Sequence, residues 1–152
     1  MNSTPENIKK LREQTGAGMM DAKKALQESG NFDEAVIFLR KKGHATLAKK
    51  SDRAVGQGLV ASYIHTGGKI GVLLEVNCET DFVARNEEFI KLVQELALQI
   101  TSTGPADVAE LLEQDYIREP SRKIKDLLAE TVGKLGENIQ IRRFARFVLG
   151  GE

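Results

Sequence analysis

Tryptophan is absent from this sequence, cysteine occurs once and histidine twice, and no apolar run is long. Each shortage removes a class of function. With Cys78 alone no intrachain disulfide can form, which favours a reducing compartment. One cysteine with the separated His44 and His65 gives no metal-ligand spacing and no nucleophile–base pair, so neither a metal centre nor covalent catalysis is expected. No stretch approaches the ~18–20 apolar residues of a membrane span, and the first twenty residues lack the charged-then-apolar layout of an export signal. Neither sign of charge is in surplus: 22 Lys/Arg balance 22 Asp/Glu, unlike a typical nucleic-acid binder.

What is present is an ordinary globular composition, 41% hydrophobic and 29% charged, with an uneven distribution of charge. Residues 1–54 carry 11 basic and 7 acidic side chains (+4), residues 55–119 carry 4 and 11 (−7), and residues 120–152 carry 7 and 4 (+3). The acidic third lies in the middle.

Local signals divide the chain into a helical segment and a mixed one. Thr4-Pro5-Glu6 has the pattern of a helix N-cap, a first-turn proline and a favourable acid. The glycines of TGAGMMD (15–21) separate a first helix, carrying Ile8 and Leu11, from a second that carries Met19, Ala22, Ala25 and Leu26. Asn31 and Glu34 are spaced as a capping box for a third, with Gly43 as its expected stop. KKSDRAVGQG (49–58) suits a linker, or a solvated helix followed by an extended entry to a strand. Two β-rich runs, 59–66 and 69–77, flank Gly67-Gly68, and a hairpin across that turn pairs Ala61 with Leu74 and Tyr63 with Val72. Its opposite face carries Val60, Ile64 and Leu73, apolar enough to suit a second protein chain. Asn86 caps an amphipathic helix with Phe89, Leu92, Val93, Leu96, Ala97 and Ile100 on one side, ended by Gly104-Pro105. A short helix near Leu111, another from Ile124 to Leu135, and a strand over 138–149 complete the pattern. In that strand Ile139, Ile141, Ala145 and Phe147 are expected on one face. The predicted class is α+β: a three-helix module and linker over 1–54, then a core over 55–152 in which a three-stranded antiparallel sheet packs on helices.

Two stretches bear on function. TGAGMM is rich in glycine, but it lacks both the Gly-Lys-Ser/Thr of a phosphate loop and a preceding strand, and it reads as a tight turn between helices. NCETDFVARNEEF (77–89) places Asp81, Phe82 and Val83 in a short turn between a strand and a capped helix. An aromatic at such a tip is either tucked under its own loop or offered to a partner, and loop physics alone favours tucking.

Three strings together carry a resemblance. IKKLREQTGAGMMDAKKAL (8–26), GLVASYIHTGGKIGVLLEVNCETDFVARNEEF (58–89) and GKLGENIQIRRFARFVLG (133–150) are similar, in order, to the translation elongation factor Ts family. That resemblance implies a guanine nucleotide exchange factor for elongation factor Tu, cytoplasmic or in an organelle matrix, with no enzyme chemistry and no cofactor. It implies a ubiquitin-associated-like fold for the N-terminal module, which would dock on the partner through Leu11, Arg12, Met19 and Met20. It also implies that Thr80, Asp81, Phe82 and Val83 act in dislocating the partner's magnesium, with Phe82 as a wedge. This reverses the preference for a tucked ring. Larger members carry a second core subdomain and a coiled-coil hairpin before the last strand; the ~35 residues available here leave them missing or vestigial. Short members pair through their sheets, so a homodimer is expected, and direct nucleic-acid binding is not. The alternatives are a general protein-interaction module using the three helices, or an RNA binder using Arg142, Arg143, Arg146 and the basic residues of 41–53.

Overall fold

Helix boundaries at the N-terminal end follow from their caps. In the computed structural model, which describes residues 3–151, α1 (Pro5–Thr15) begins behind Thr4, whose hydroxyl accepts the Asn7 N–H. It ends where Gly16, at φ 70°, donates its N–H to the Arg12 carbonyl. α2 (Met19–Glu28) follows, then α3 (Phe32–Lys50), capped by the Asn31 side chain on the Glu34 N–H. These helices bury Leu11, Ala22, Ala25, Leu26, Ala35, Val36 and Leu39 together. The alanines let the helices approach closely and make the cluster thin.

The expected stop at Gly43 is corrected: α3 runs on for seven residues, to Lys50. Tertiary contact outweighs glycine's weak propensity. Gly43 lies against Ala129 of α7 (Ile124–Leu135), so two small residues meet where the helices pack. Beyond it, His44 Nε2 lies 2.6 Å from Asp126 Oδ1, and Lys50 Nζ donates to the Gly136 carbonyl at 2.8 Å. Leu47 packs on the larger apolar cluster, so α3 serves both.

β1 (Gln57–Ile64), β2 (Ile70–Cys78) and β5 (Ile139–Val148) form an antiparallel sheet in the order β1-β2-β5. Ala61 faces Leu74 and Tyr63 faces Val72, the register that a turn centred on Gly67-Gly68 requires. Both glycines take positive φ there, 94° and 71°. The alternation expected in the last strand fails at a bulge. Glu75 pairs with Arg143 but Val76 with Ile141, so Arg142 is the extra residue. Past it the faces exchange: Phe144 and Arg146 pair with Leu74 and Val72 over the core, while Ala145 and Phe147 turn outward. Arg146 meets its inward position by donating to the Thr101 carbonyl at 3.1 Å.

The inner sheet face packs on α5 (Glu87–Thr103), which in turn packs on α7. Between α5 and α7 lie α6 (Val108–Glu113) and a small hairpin of β3 (Asp115–Tyr116) and β4 (Glu119–Lys123), which the sequence did not announce. Polar contacts hold it. The buried Gln99 accepts the Ile117 N–H at 3.0 Å and donates to the Asp115 carbonyl at 3.0 Å, and the Tyr116 hydroxyl donates to Glu95 at 2.6 Å. The molecule is therefore α+β, three helices followed by a three-stranded antiparallel sheet on helices. Among the described residues no helix is long and apolar enough to cross a membrane.

Candidate functional site

β2 leaves the sheet at Cys78, and within three residues the chain turns into a single helical turn, α4 (Asp81–Ala84). One isolated turn does not sustain itself, because its nucleation cost is met by almost no internal hydrogen bonds. Outside contacts make up the difference. The Thr80 hydroxyl caps the turn by accepting the Val83 N–H at 3.2 Å, and the Val83 and Ala84 side chains are buried in the sheet core. Successive helical positions point about 100° apart, so burying 83 and 84 directs residue 82 outward. Phe82 is 78% exposed. The tucking that loop physics favoured is absent, since Val83 takes the inward place.

The base of this turn is tied down on several sides. Glu137, in the loop between α7 and β5, accepts the backbone N–H groups of Glu79 and Thr80 at 3.1 and 3.0 Å and the Thr80 hydroxyl at 2.7 Å. Cys78 Sγ donates to the Thr80 carbonyl at 3.1 Å, and burial, reinforced by the Glu137 charge, pushes its thiol pKa up. Cys78 thus stays a protonated donor. Glu79 pairs with Arg53 at 3.7 Å, and the exposed Asp81 pairs with Arg85 at 3.3 Å. The turn thus presents an apolar ring above a base held by hydrogen bonds and ion pairs.

The other predicted residues lie on the helical module. Leu11 is fully buried in the cluster that joins α1 to its neighbours, so its side chain is not on the free surface. Arg12 is exposed, with Nε donating to the Ala17 carbonyl at 3.3 Å across the turn between helices. Met19 and Met20 open α2, 60% and 73% exposed. The structure does not bring the two sets together. Arg12, Met19 and Met20 belong to the α1–α2 corner, whereas α4 packs chiefly on β1, β2 and α5.

The residues expected to be chemically silent have structural partners. His44 is bonded to Asp126, and His65 Nδ1 lies 3.2 Å from the Tyr63 hydroxyl. Burial works against the Asp126 charge, but the Lys123 N–H and His44 outweigh it and hold the carboxyl below its ordinary pKa. A cleft of about 220 Å³ lies between the helical module and α7, lined among others by Gly16, Asp21, His44, Arg122 and Glu130. It is smaller than the ~300 Å³ at which small-molecule pockets begin. Among the described residues no group of three or more His, Cys, Asp or Glu could hold a metal ion. Glu137 is the residue at this turn that motif reading overlooked: GENI sits in a resembling string, but nothing in its spacing announces a contact 57 residues away.

The family model described as Elongation factor TS matches residues 79–152, which include the whole of α4 and Glu137. The chain is 47% identical to the elongation factor Ts of Anaeromyxobacter sp. (strain Fw109-5), with 94% of the chain and 86% of that protein covered. It is 44% identical to that of Thermoanaerobacter sp. (strain X514), covering 94% and 93%, and 44% identical to that of Oleidesulfovibrio alaskensis, covering 97% and 98%. The first of these alignments extends over 189 positions, more than the 152 residues of the chain, so that relative carries residues within the matched span that this chain lacks. With such identity along nearly its whole length, the chain belongs to the elongation factor Ts family.

Proposed function

We propose that this chain is a guanine nucleotide exchange factor that binds elongation factor Tu in its GDP form and promotes GDP release, supporting translation elongation. In this reading residues 1–54 dock and residues 55–152 carry the exchange step. Arg12, Met19 and Met20 supply the docking contacts, and Leu11 keeps their helices in place. Thr80, Asp81 and Val83 build the turn from which Phe82 enters the partner near its magnesium and phosphate site. The observation that carries the proposal is the Phe82 ring, 78% exposed on a turn whose next two side chains are buried. A large aromatic held outward in this way is preorganised for a partner.

Magnitudes limit what the ring does alone. Burying a phenylalanine contributes ~1.5–3 kcal/mol, and each ~1.4 kcal/mol is a factor of ten in affinity. Phe82 accounts for roughly a tenfold to hundredfold effect, and the docking contacts must supply the rest of the binding energy used in distorting the nucleotide site. Linkage makes the effect mutual, so bound GDP weakens the grip of this chain by the same factor. The test is release of fluorescent GDP from elongation factor Tu. The rate should rise with the concentration of this protein to a plateau; a rate unchanged at tens of micromolar would refute the proposal.

A second copy of the chain is the proposed partner for the outer sheet face. Val60, Ile64, Leu73 and the 75%-exposed Phe147 lie there beside one another, and a contiguous exposed apolar patch of this kind suits a protein interface. Its rim carries both signs, with Arg143 Nε 2.9 Å from Glu75, so a two-fold copy meets balanced charge. Light scattering at tens of micromolar should give the dimer mass, and a monomer mass there would exclude it.

A further inference from the structure

Glu137 sits between α7 and β5, on a loop of Gly136, Glu137 and Asn138, and its carboxylate is wholly engaged with the base of the Phe82 turn. One oxygen takes the N–H groups of Glu79 and Thr80, the first two after β2 makes its last ladder pair with β5. The other takes the Thr80 hydroxyl proton. A hydroxyl has a single proton, so this bond fixes its rotor and leaves its lone pairs for the Val83 N–H, which is the cap of the turn. The loop is itself braced from the end of α3: Lys50 donates to the Gly136 carbonyl at 2.8 Å, and the buried Asn138 donates to the Arg53 carbonyl at 2.9 Å.

The turn therefore has two kinds of attachment. Val83 and Ala84 hold it by apolar burial, which is non-directional and leaves a single turn able to rock. Glu137 holds it by hydrogen bonds to a charged acceptor, which are short and directional. The first kind fixes where the turn is, and the second fixes how it points. We infer that Glu137 is a positioning residue for exchange: it sets the angle at which Asp81–Ala84 presents Phe82, without meeting the partner itself. The inference rests on the reading of Phe82 as a wedge.

Stimulated GDP release is titrated to saturation with the wild type, Glu137→Ala, Glu137→Gln, Phe82→Ala and the Phe82→Ala/Glu137→Ala double variant, each with a melting curve. Glu137→Ala should lower the plateau rate about fivefold to tenfold while the half-saturating concentration stays within about twofold, because the docking residues are untouched. Glu137→Gln keeps an oxygen for both backbone donors and should recover most of the plateau. The double variant should match Phe82→Ala alone within about twofold, since a residue acting through the ring has no effect once the ring is gone. A merely structural role gives the opposite split: partial unfolding lowers the amount of active factor, shifts half-saturation and leaves the plateau intact. That result, or independent effects that multiply in the double variant, would overturn the inference. If Glu137→Ala does not fold, Glu137→Asp keeps the charge but shortens the reach, and should give a drop of about threefold with the same split. The two readings separate cleanly: an unchanged plateau in Phe82→Ala defeats the wedge, whereas a lowered plateau there with none in the Glu137 variants defeats only the positioning role.

Discussion

The helical cluster around Leu11 and Leu26 and the sheet cluster around Leu74 and Phe89 bury apolar surface in different ways. Three alanines stand among the seven buried residues of the first, which is thin and whose helix α3 leans on α7 at Gly43 and on the larger cluster at Leu47. The second is deep, with Phe89, Leu74, Leu96, Ile100 and Ile124 fully buried. What each leaves outside differs in kind as well. The helical module offers two methionines, unbranched side chains that adapt to a partner surface. The sheet module, besides its apolar outer face, offers one ring on a turn fastened by Glu137, Thr80 and Cys78. Under the proposed roles this is the expected division, since docking tolerates pliancy whereas an element that distorts its partner must not yield first.

Core substitutions should break this contrast most visibly. Leu74→Ala removes a fully buried side chain from the deep cluster and should cost ~2–5 kcal/mol, lowering the melting of the whole chain. Leu26→Ala is the same chemical change in the thin cluster. It should speed hydrogen exchange in α1 and α2 while the amides of β2 and α5 stay protected. Equal loss of protection in both regions would mean that the two clusters unfold as one. At the surface, Met19→Ala/Met20→Ala should raise the half-saturating concentration for exchange about tenfold, equivalent to ~1.4 kcal/mol of contact, and leave plateau and melting unchanged. A lowered plateau would merge the roles of the two regions.

The smallest effect belongs to the seam between them. Because Asp126 is held below its ordinary pKa, its carboxylate contributes stability above about pH 4, and that contribution is lost as the pH falls through its lowered folded value. Asp126→Asn should lower the melting temperature by a few degrees at neutral pH, corresponding to roughly 1 kcal/mol. Once the pH has fallen through that lowered value, it should converge on the wild type. A constant difference across that range would show that the His44–Asp126 contact is not what the substitution removes.

Sequence patterns exposed those parts of the fold whose signals are local. The caps Thr4, Asn31 and Asn86, the stops Gly16, Gly104 and Gly136, and the hairpin register set by Gly67-Gly68 all lie within a few residues of what they control. What stayed hidden depends on distant partners. Gly43 looks like a helix end until Ala129 is placed against it. The β5 bulge depends on pairing with β2, and the 115–123 hairpin on the polar grip of Gln99 and Glu95. At the candidate site, the resembling motif located Phe82, and the burial of Val83 explains why its ring points out. The burial of Leu11 could not be read from a motif match, and Glu137 was missed because its three bonds reach residues 57 and 58 positions away.

The central claim, that Phe82 is an outward, partner-directed ring on a fixed turn, is tested most directly by Phe82→Ala in saturating GDP release from elongation factor Tu, with melting measured on the same sample. The account predicts an unchanged melting temperature, because an exposed ring contributes little to the free fold, and a plateau rate lower by at least about tenfold. A variant that melts several degrees lower, yet whose folded fraction drives GDP release at the wild-type plateau, would contradict it.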